Sequence, residues 1–122
     1  MARILIIDDE AELRMLLNRI LNRQGHETVE AENGREALRH LESSAGFDLI
    51  VTDLFMPEMD GIETLRHIKT EWPDAKVIVI SGGGNRTGLD MLPMAGKFGA
   101  DRTFAKPFDP ADLAKAVEEL LG

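Results

Sequence analysis

Short apolar runs alternate with helical patterns along the sequence, and this alternation restricts the fold more than any other feature. Each run is long enough for a buried strand, and the stretches between the runs mostly carry apolar residues at helical spacing. Strands interleaved with helices predict a parallel sheet covered on both faces. The predicted strands are residues 3–7, 26–31, 47–52, 76–80 and 102–105.

The helical patterns carry their own start and stop signals. Gly25 is expected to end the first helix, and Asn33 is a plausible N-cap for the second. Trp72-Pro73 closes the third pattern, and Pro110 suits the first turn of the last helix. The chain of 122 residues has the size of one domain, without repeat or linker. We therefore expect a single α/β domain over residues 1–122.

The amino-acid composition excludes several classes of functional site. There is no cysteine, so disulfides, thiolate catalysis and cysteine-type zinc sites are excluded. The histidines at 26, 40 and 67 are far apart in sequence and are expected to be solvated surface residues. A net charge of −8 argues against nucleic acid as a direct partner. Because the sequence shows neither a signal peptide nor a membrane-spanning run, we expect a cytoplasmic protein with no membrane partner.

Polar side chains follow several of the predicted strands. In doubly wound sheets, ligands bind outside the carboxyl ends of the strands, so the residues at these positions are the candidates for chemistry. They are Asp8, Asp9 and Glu10 after the first strand, Asp53 after the third, Ser81 after the fourth and Lys106 after the fifth.

Three aspartates brought together at one edge repel one another unless a positive charge lies among them. Mg²⁺ is the natural cation, since it prefers a few carboxylates, waters and phosphate oxygens. Lys106 and Ser81 suit phosphoryl oxygens, and with a carboxylate nucleophile the set predicts phosphoryl transfer to aspartate. Glu10 begins the first helical turn and is interpreted as a helix N-cap or a solvated side chain.

The sequence contains an ordered series of short motifs, which are Asp8-Asp9, Asp53, Pro57-Glu58-Met59-Asp60-Gly61, Ser81-Gly82, Gly99-Ala100-Asp101 and Lys106-Pro107-Phe108. This series resembles the receiver domains of two-component response regulators. The resemblance covers essentially the whole chain and implies the flavodoxin-like strand order 2-1-3-4-5.

The resemblance implies a role for each acidic residue. Asp53 is the expected phosphoacceptor, which takes its phosphoryl group from a phosphohistidine on a sensor histidine kinase or phosphotransfer protein. Asp9 is expected to bind Mg²⁺ directly and Asp8 mainly through the metal's waters, with the backbone carbonyl of Phe55 as a further ligand. Mn²⁺ is expected to substitute for Mg²⁺.

The remaining roles concern the response to phosphorylation. Ser81 and Lys106 are expected to bind the phosphoryl group, and Pro107 to hold the next loop through a cis peptide bond. The implied output is a conformational switch read by a downstream protein that the sequence does not identify. Beyond self-catalysed phosphoryl transfer and autodephosphorylation, no enzymatic turnover is expected.

The chain departs from the receiver pattern in two places. Receivers usually carry an aromatic residue where this chain has Thr103, and the neighbouring Phe104 is expected to face the core instead. The segment after Ser81 also looks a few residues longer than usual, with Gly82 and Gly83 at its start. It is either a specialised output loop or a tolerated surface insertion.

Alternative functions stay open. The chain is either a stand-alone receiver or a receiver from a longer DNA-binding regulator. An aspartyl-phosphate phosphatase of dehalogenase type needs a second acid two residues after its nucleophile, where this chain has Phe55. A flavodoxin-like binding protein is disfavoured, because acids follow the first strand in place of a phosphate-cradling loop.

Overall fold

The computed structural model describes residues 2–43, 46–53, 61–81, 96–97 and 99–122. These residues form a five-stranded parallel sheet in the order β2-β1-β3-β4-β5, which confirms the predicted fold. In chain order the elements are β1 (Arg3–Ile7), α1 (Ala11–Arg23), β2 (Glu27–Ala31), α2 (Gly34–Ser43), β3 (Leu49–Asp53), α3 (Gly61–Glu71), β4 (Lys76–Ser81), β5 (Arg102–Ala105) and α4 (Pro110–Leu121).

Helices cover both faces of the sheet, as the alternating pattern predicts. Side chains of β1, β3 and β4 alternate between the two faces, so each strand contributes to two cores. One core joins the sheet to α1 and α4, and it includes Ile4, Ile6, Leu17, Leu21, Leu49, Val51, Ile78, Ile80, Leu113 and Val117. The other joins it to α2 and α3, and it includes Leu5, Ile7, Ala37, Leu41, Ile50, Leu65, Ile68, Val77 and Val79. Each fully buried Leu or Ile contributes roughly 1.5–3 kcal/mol, so the three central strands form a stable frame for the residues at their ends.

Local signals fix the ends of the helices. Gly25 has φ +88°, a left-handed conformation that favours glycine, and α1 ends just before it. The Asn33 side chain accepts a hydrogen bond from the N–H of Glu36 at 2.8 Å, which confirms it as the N-cap of α2. Pro110 occupies the first turn of α4, as predicted.

At the amino ends of the strands, Asp101 connects β5 to β4. Its carboxylate accepts a hydrogen bond from the N–H of Val77 at 2.8 Å and pairs with Lys69 at 3.5 Å. Gly99 precedes it with φ +107°, and a Cβ at this glycine would lie 3.0 Å from Cγ of Lys69. The Gly99-Ala100-Asp101 motif therefore holds the entry to β5 against β4.

The histidines differ in their surroundings. His67 is exposed, but His26 is half-buried and its Nδ1 accepts a hydrogen bond from the N–H of Ala2 at 3.0 Å. Burial lowers the pKa of His26, because it disfavours the charged ring. The interpretation of all three histidines as solvated is therefore wrong for His26. Among the described residues, no helix is long and apolar enough to cross a bilayer.

Candidate functional site

The register of the sheet brings the predicted polar residues to one edge. Ile7 pairs with Thr52, so Asp8 and Asp53 leave neighbouring strands side by side. Across β4, Ser81 pairs with Ala105, and Lys106 follows directly. Burial on both faces fixes the register of the central strands β1, β3 and β4, and β5 pairs with β4 at the edge of the sheet.

Backbone hydrogen bonds continue past the strand ends and hold this edge in place. The N–H of Asp8 donates to the carbonyl of Ala31 at 3.1 Å, and the N–H of Lys106 donates to the carbonyl of Ser81 at 2.8 Å. The side chain of Asp8 also accepts a hydrogen bond from the N–H of Glu10 at 2.8 Å. The positions of Asp8 and Lys106 are therefore set by the backbone of the sheet.

The ammonium of Lys106 lies among three carboxylates. Its Nζ is 3.0 Å from Oδ2 of Asp53, 3.4 Å from Oδ2 of Asp8 and 3.3 Å from Oε1 of Glu10. Asp53 is 4% exposed and Asp8 is 1% exposed, so two of the three pairs involve buried acids. Such pairs are less screened by solvent than those at an open surface.

Four carboxylates form a compact acidic cluster at this edge. One oxygen from each of Asp8, Asp9, Glu10 and Asp53 lies within 4.8 Å of the others. Asp9 and Glu10 are exposed, so the cluster has a buried floor and an open side. A ligand can therefore reach the buried aspartates from solvent.

Asp8 and Lys106 both have raised pKa values. Burial raises the pKa of Asp8 from 3.8 to about 6, and the charge of Asp53 adds to this, while the N–H of Glu10 opposes it. Burial acts to lower the pKa of Lys106, but the charge and hydrogen bond of Asp53 outweigh it and raise that pKa. The lysine is therefore held charged, and it offsets only part of the negative charge.

The donor set of the cluster fits a hard divalent cation. All of its side-chain donors are carboxylate oxygens, the ligand type that Mg²⁺ and Mn²⁺ favour. The raised pKa of Asp8 shows that a negative charge is costly there, and a cation among the acids would remove that cost. These residues can therefore hold a metal, in agreement with the sequence prediction.

Glu10 stands at the N-cap position of α1 and its side chain is 59% exposed, which agrees with its interpretation as an N-cap or a solvated side chain. Its side chain makes no capping hydrogen bond. Its carboxylate also pairs with Lys106, which the sequence analysis did not predict. Sequence spacing gave no signal for this contact, because the two residues are 96 positions apart.

The residues beside the cluster lie where the sequence places them. Ser81 is fully buried at the end of β4, and the peptide bond between Lys106 and Pro107 is cis, as the resemblance implies. Thr103 is exposed. Phe104 packs against the core formed with α1 and α4, as predicted, with its ring 6.5 Å from that of Phe108.

Several predicted positions lie outside the described residues. They are the metal-ligand carbonyl of Phe55, the motif residues from Pro57 to Asp60 and the loop glycines Gly82 and Gly83. The site also contains a residue that the sequence analysis missed, Arg14, whose Nη1 donates to the carbonyl of Asp8 at 2.7 Å. Its position one helical turn after Glu10 was the available signal.

Comparison with known proteins gives one consistent result. The model of the response regulator receiver domain matches residues 4–118. Sporulation initiation phosphotransferase F of Bacillus subtilis is 38% identical over 98% of this chain and 93% of its own length. Chemotaxis protein CheY of Thermotoga maritima is 38% identical over 97% of this chain and 96% of its own. The solved structure of response regulator TrrA from Thermotoga maritima, in complex with Mg²⁺ and BeF, superimposes with a TM-score of 0.84 at 34% identity, covering 99% of this chain and all of that one.

Proposed function

The chain belongs to the response regulator receiver family, and from this we propose that Asp53 accepts a phosphoryl group in a Mg²⁺-dependent reaction. Receiver domains act in two-component and phosphorelay signalling. The proposed donor is a phosphohistidine on a sensor histidine kinase or a phosphotransfer protein. The proposed output is a conformational switch that a downstream protein reads.

The position of Asp53 is the observation that carries the proposal. Its carboxylate lies at the floor of the acidic cluster, 3.0 Å from the ammonium of Lys106. A carboxylate is a competent nucleophile towards phosphorus when positive charge neutralises the entering phosphoryl oxygens. Asp53 lies beside one cation, the ammonium of Lys106, and beside further carboxylates that could hold a second cation.

Transfer forms one bond and breaks one. A carboxylate oxygen of Asp53 bonds to phosphorus as the bond from phosphorus to the donor's imidazole nitrogen breaks. The electron pair of that bond stays on the imidazole, which then takes a proton from solvent. A bound Mg²⁺ would supply positive charge to the transferring phosphoryl oxygens. Asp8, Asp9 and the carbonyl of Phe55 are the proposed groups that hold it with Asp53, and Mn²⁺ has the same preference for oxygen.

Lys106 and Ser81 are the proposed sensors of the new group. Before transfer, the ammonium of Lys106 pairs with Oδ2 of Asp53, and after transfer it pairs with a phosphoryl oxygen. The Ser81 hydroxyl donates a charge-assisted hydrogen bond to another oxygen, which draws the backbone after β4 towards the site. We propose that this loop, starting at Gly82 and Gly83, transmits the switch, because the exposed Thr103 has no ring to move.

The domain is proposed to signal without turnover of an external substrate. Its only chemistry is self-catalysed phosphoryl transfer to Asp53 and hydrolysis of the resulting acyl phosphate. Residues 1–122 are proposed to form one domain whose partners are proteins, since a net charge of −8 disfavours direct contact with nucleic acid.

Intact-mass spectrometry tests the proposal. With Mg²⁺ and acetyl phosphate, the wild type should gain one acid-labile phosphoryl group, and EDTA should suppress the gain. Asp53→Asn keeps the shape but removes the nucleophile, so this variant should gain nothing. Asp74→Asn, which changes an exposed aspartate remote from the cluster, should be labelled like the wild type. Persistent labelling of Asp53→Asn would contradict the assignment.

A further inference from the structure

Arg14 connects the acidic cluster to the neighbouring strand. It lies in α1, and its side chain is 12% exposed. Its Nη1 donates to the main-chain carbonyl of Asp8 at 2.7 Å, while its Nε donates to Oε1 of Glu30 at 2.9 Å. One guanidinium therefore joins the end of β1 to β2 through two hydrogen bonds in different directions.

Further hydrogen bonds hold Arg14 in this orientation. Asn18, one helical turn after Arg14, donates through its amide to Oε2 of Glu30. The hydroxyl of Thr28 in β2 donates in turn to the amide oxygen of Asn18. Because both oxygens of Glu30 are engaged, its carboxylate is a fixed support for the guanidinium.

The contact with Asp8 acts on the peptide that follows it. The Asp8 N–H already donates to Ala31 in the sheet, so Arg14 completes the hydrogen bonding of the Asp8 main chain. The Asp8 carbonyl belongs to the planar peptide unit that leads to Asp9. Holding this carbonyl fixes the direction in which Asp9 leaves the strand. Asp9 itself is exposed and lies beyond the last residue of β1.

We infer that Arg14 is a positioning residue that aims Asp9 into the metal site. This inference rests on the proposed function, because it assigns Arg14 a role towards the metal proposed there. The role requires arginine, since a guanidinium donates along two fixed directions at once. A lysine retains the positive charge, but its one nitrogen cannot occupy both positions from which Nη1 and Nε of Arg14 donate to Asp8 and Glu30.

The test measures Mg²⁺ affinity of the unphosphorylated protein by NMR titration of backbone amides. Arg14→Lys should raise the Kd for Mg²⁺ about tenfold, which corresponds to about 1.4 kcal/mol. Arg19→Lys makes the same exchange on the exposed side of the same helix and should change the Kd less than twofold. Circular dichroism at the titration temperature should show that each variant is fully folded. An unchanged Kd in folded Arg14→Lys would overturn the inference.

A double-mutant cycle separates aiming from a general structural effect. Once Asp9 is removed there is nothing to aim, so Arg14→Lys should change the Kd less than twofold in an Asp9→Ala background. A factor of ten that persists in this background would show that Arg14 acts independently of Asp9, and the inference would be wrong. A simple loss of packing predicts equal factors in both backgrounds.

Two further outcomes have fixed meanings. If Arg14→Lys does not fold, Glu30→Gln replaces it in the same cycle. This variant removes the charge that supports Arg14. It should raise the Kd for Mg²⁺ about threefold when Asp9 is present and leave it unchanged in the Asp9→Ala background. An unchanged Kd in the presence of Asp9 would refute the inference.

If the wild type binds no Mg²⁺, or Asp9→Ala binds it equally well, the metal assignment of the proposed function fails and the role of Arg14 fails with it. Failure of the cycle alone leaves the proposed function intact.

Discussion

Asp8 is a buried acid whose ionisation opposes folding, so its replacement by asparagine should stabilise the metal-free protein. Its side chain is 1% exposed, and its pKa is raised to about 6 by burial and by the charge of Asp53. Asp8→Asn removes the charge but keeps the oxygen that accepts from the N–H of Glu10. The variant therefore separates the cost of the charge from the local hydrogen bonding.

The size of the effect follows from the pKa shift. One pKa unit corresponds to about 1.4 kcal/mol, so a rise from 3.8 to about 6 opposes folding by at most about 3 kcal/mol once Asp8 is ionised in both states. This upper bound already includes the ion pair with Lys106, whose charge lowers the pKa of Asp8. A stabilisation of about 2 kcal/mol, below the bound, is expected above pH 7, or a melting temperature higher by about 8 °C.

The effect should depend on pH in a defined direction. Between pH values of about 4 and 6, native Asp8 retains its proton while unfolded Asp8 has lost it. The native state then binds more protons than the unfolded state, so this group makes the free energy of unfolding fall as pH rises. The advantage of Asp8→Asn should be small near pH 4.5, grow through pH 6 and level off above pH 7.

Urea denaturation in EDTA, from pH 4.5 to 8, measures the difference. Trp72 is the single tryptophan and is half-buried, so its fluorescence reports unfolding alongside circular dichroism. Asp74→Asn, a change at an exposed aspartate, is the matched control and should track the wild type. A stability difference for Asp8→Asn that stays constant over this range, or a destabilisation at pH 8, would refute the reasoning.

Two further predictions concern the lysine of the site and the entry to β5. Lys106→Met should lose about 1–2 kcal/mol at pH 8 in EDTA, because it leaves buried carboxylates without their cation. The loss should shrink near pH 4.5, and a loss shared by Lys115→Met on the exposed side of α4 would contradict this cause. Gly99→Ala should lower stability by at least about 1 kcal/mol, since it forces a left-handed φ and a 3.0 Å contact on a side chain. Gly96→Ala, where a Cβ meets nothing within 4 Å, is its control in the same denaturation series, and equal losses would refute the explanation.

The fold was predictable because burial and periodicity are local signals. The apolar runs before Asp8 and Asp53 predicted buried strands, and the resemblance to receiver domains supplied the order of the strands. The rule for parallel strands then placed their carboxyl ends together. The confirmed roles of Asn33 and Pro110 at helix starts are equally local, since a cap acts within three residues. The same holds for Phe104, whose position follows from strand alternation.

The sequence analysis missed three side-chain contacts. Glu10 was interpreted as an N-cap or a solvated side chain, and its contact with Lys106 was not predicted. Arg14 was not singled out, although its position one helical turn after Glu10 was the available signal. His26 was interpreted as a solvated surface residue, although its ring accepts a hydrogen bond from the N–H of Ala2. The contacts of Glu10 and His26 join residues 96 and 24 positions apart, and residue type and spacing do not encode them.

The charged residues around Asp53 come from distant parts of the sequence, and this separation affects when the site forms during folding. Lys106 reaches Asp8 from 98 positions later in the chain, and it does so only from the last strand of the sheet. Contacts of such long separation form late, since the entropy of closing the intervening chain must first be offset by the strands between. In a nascent or partly unfolded chain, Asp8 and Asp53 are therefore not yet paired with the ammonium of Lys106. The charge arrangement around Asp53 is therefore complete only when the chain has folded through β5.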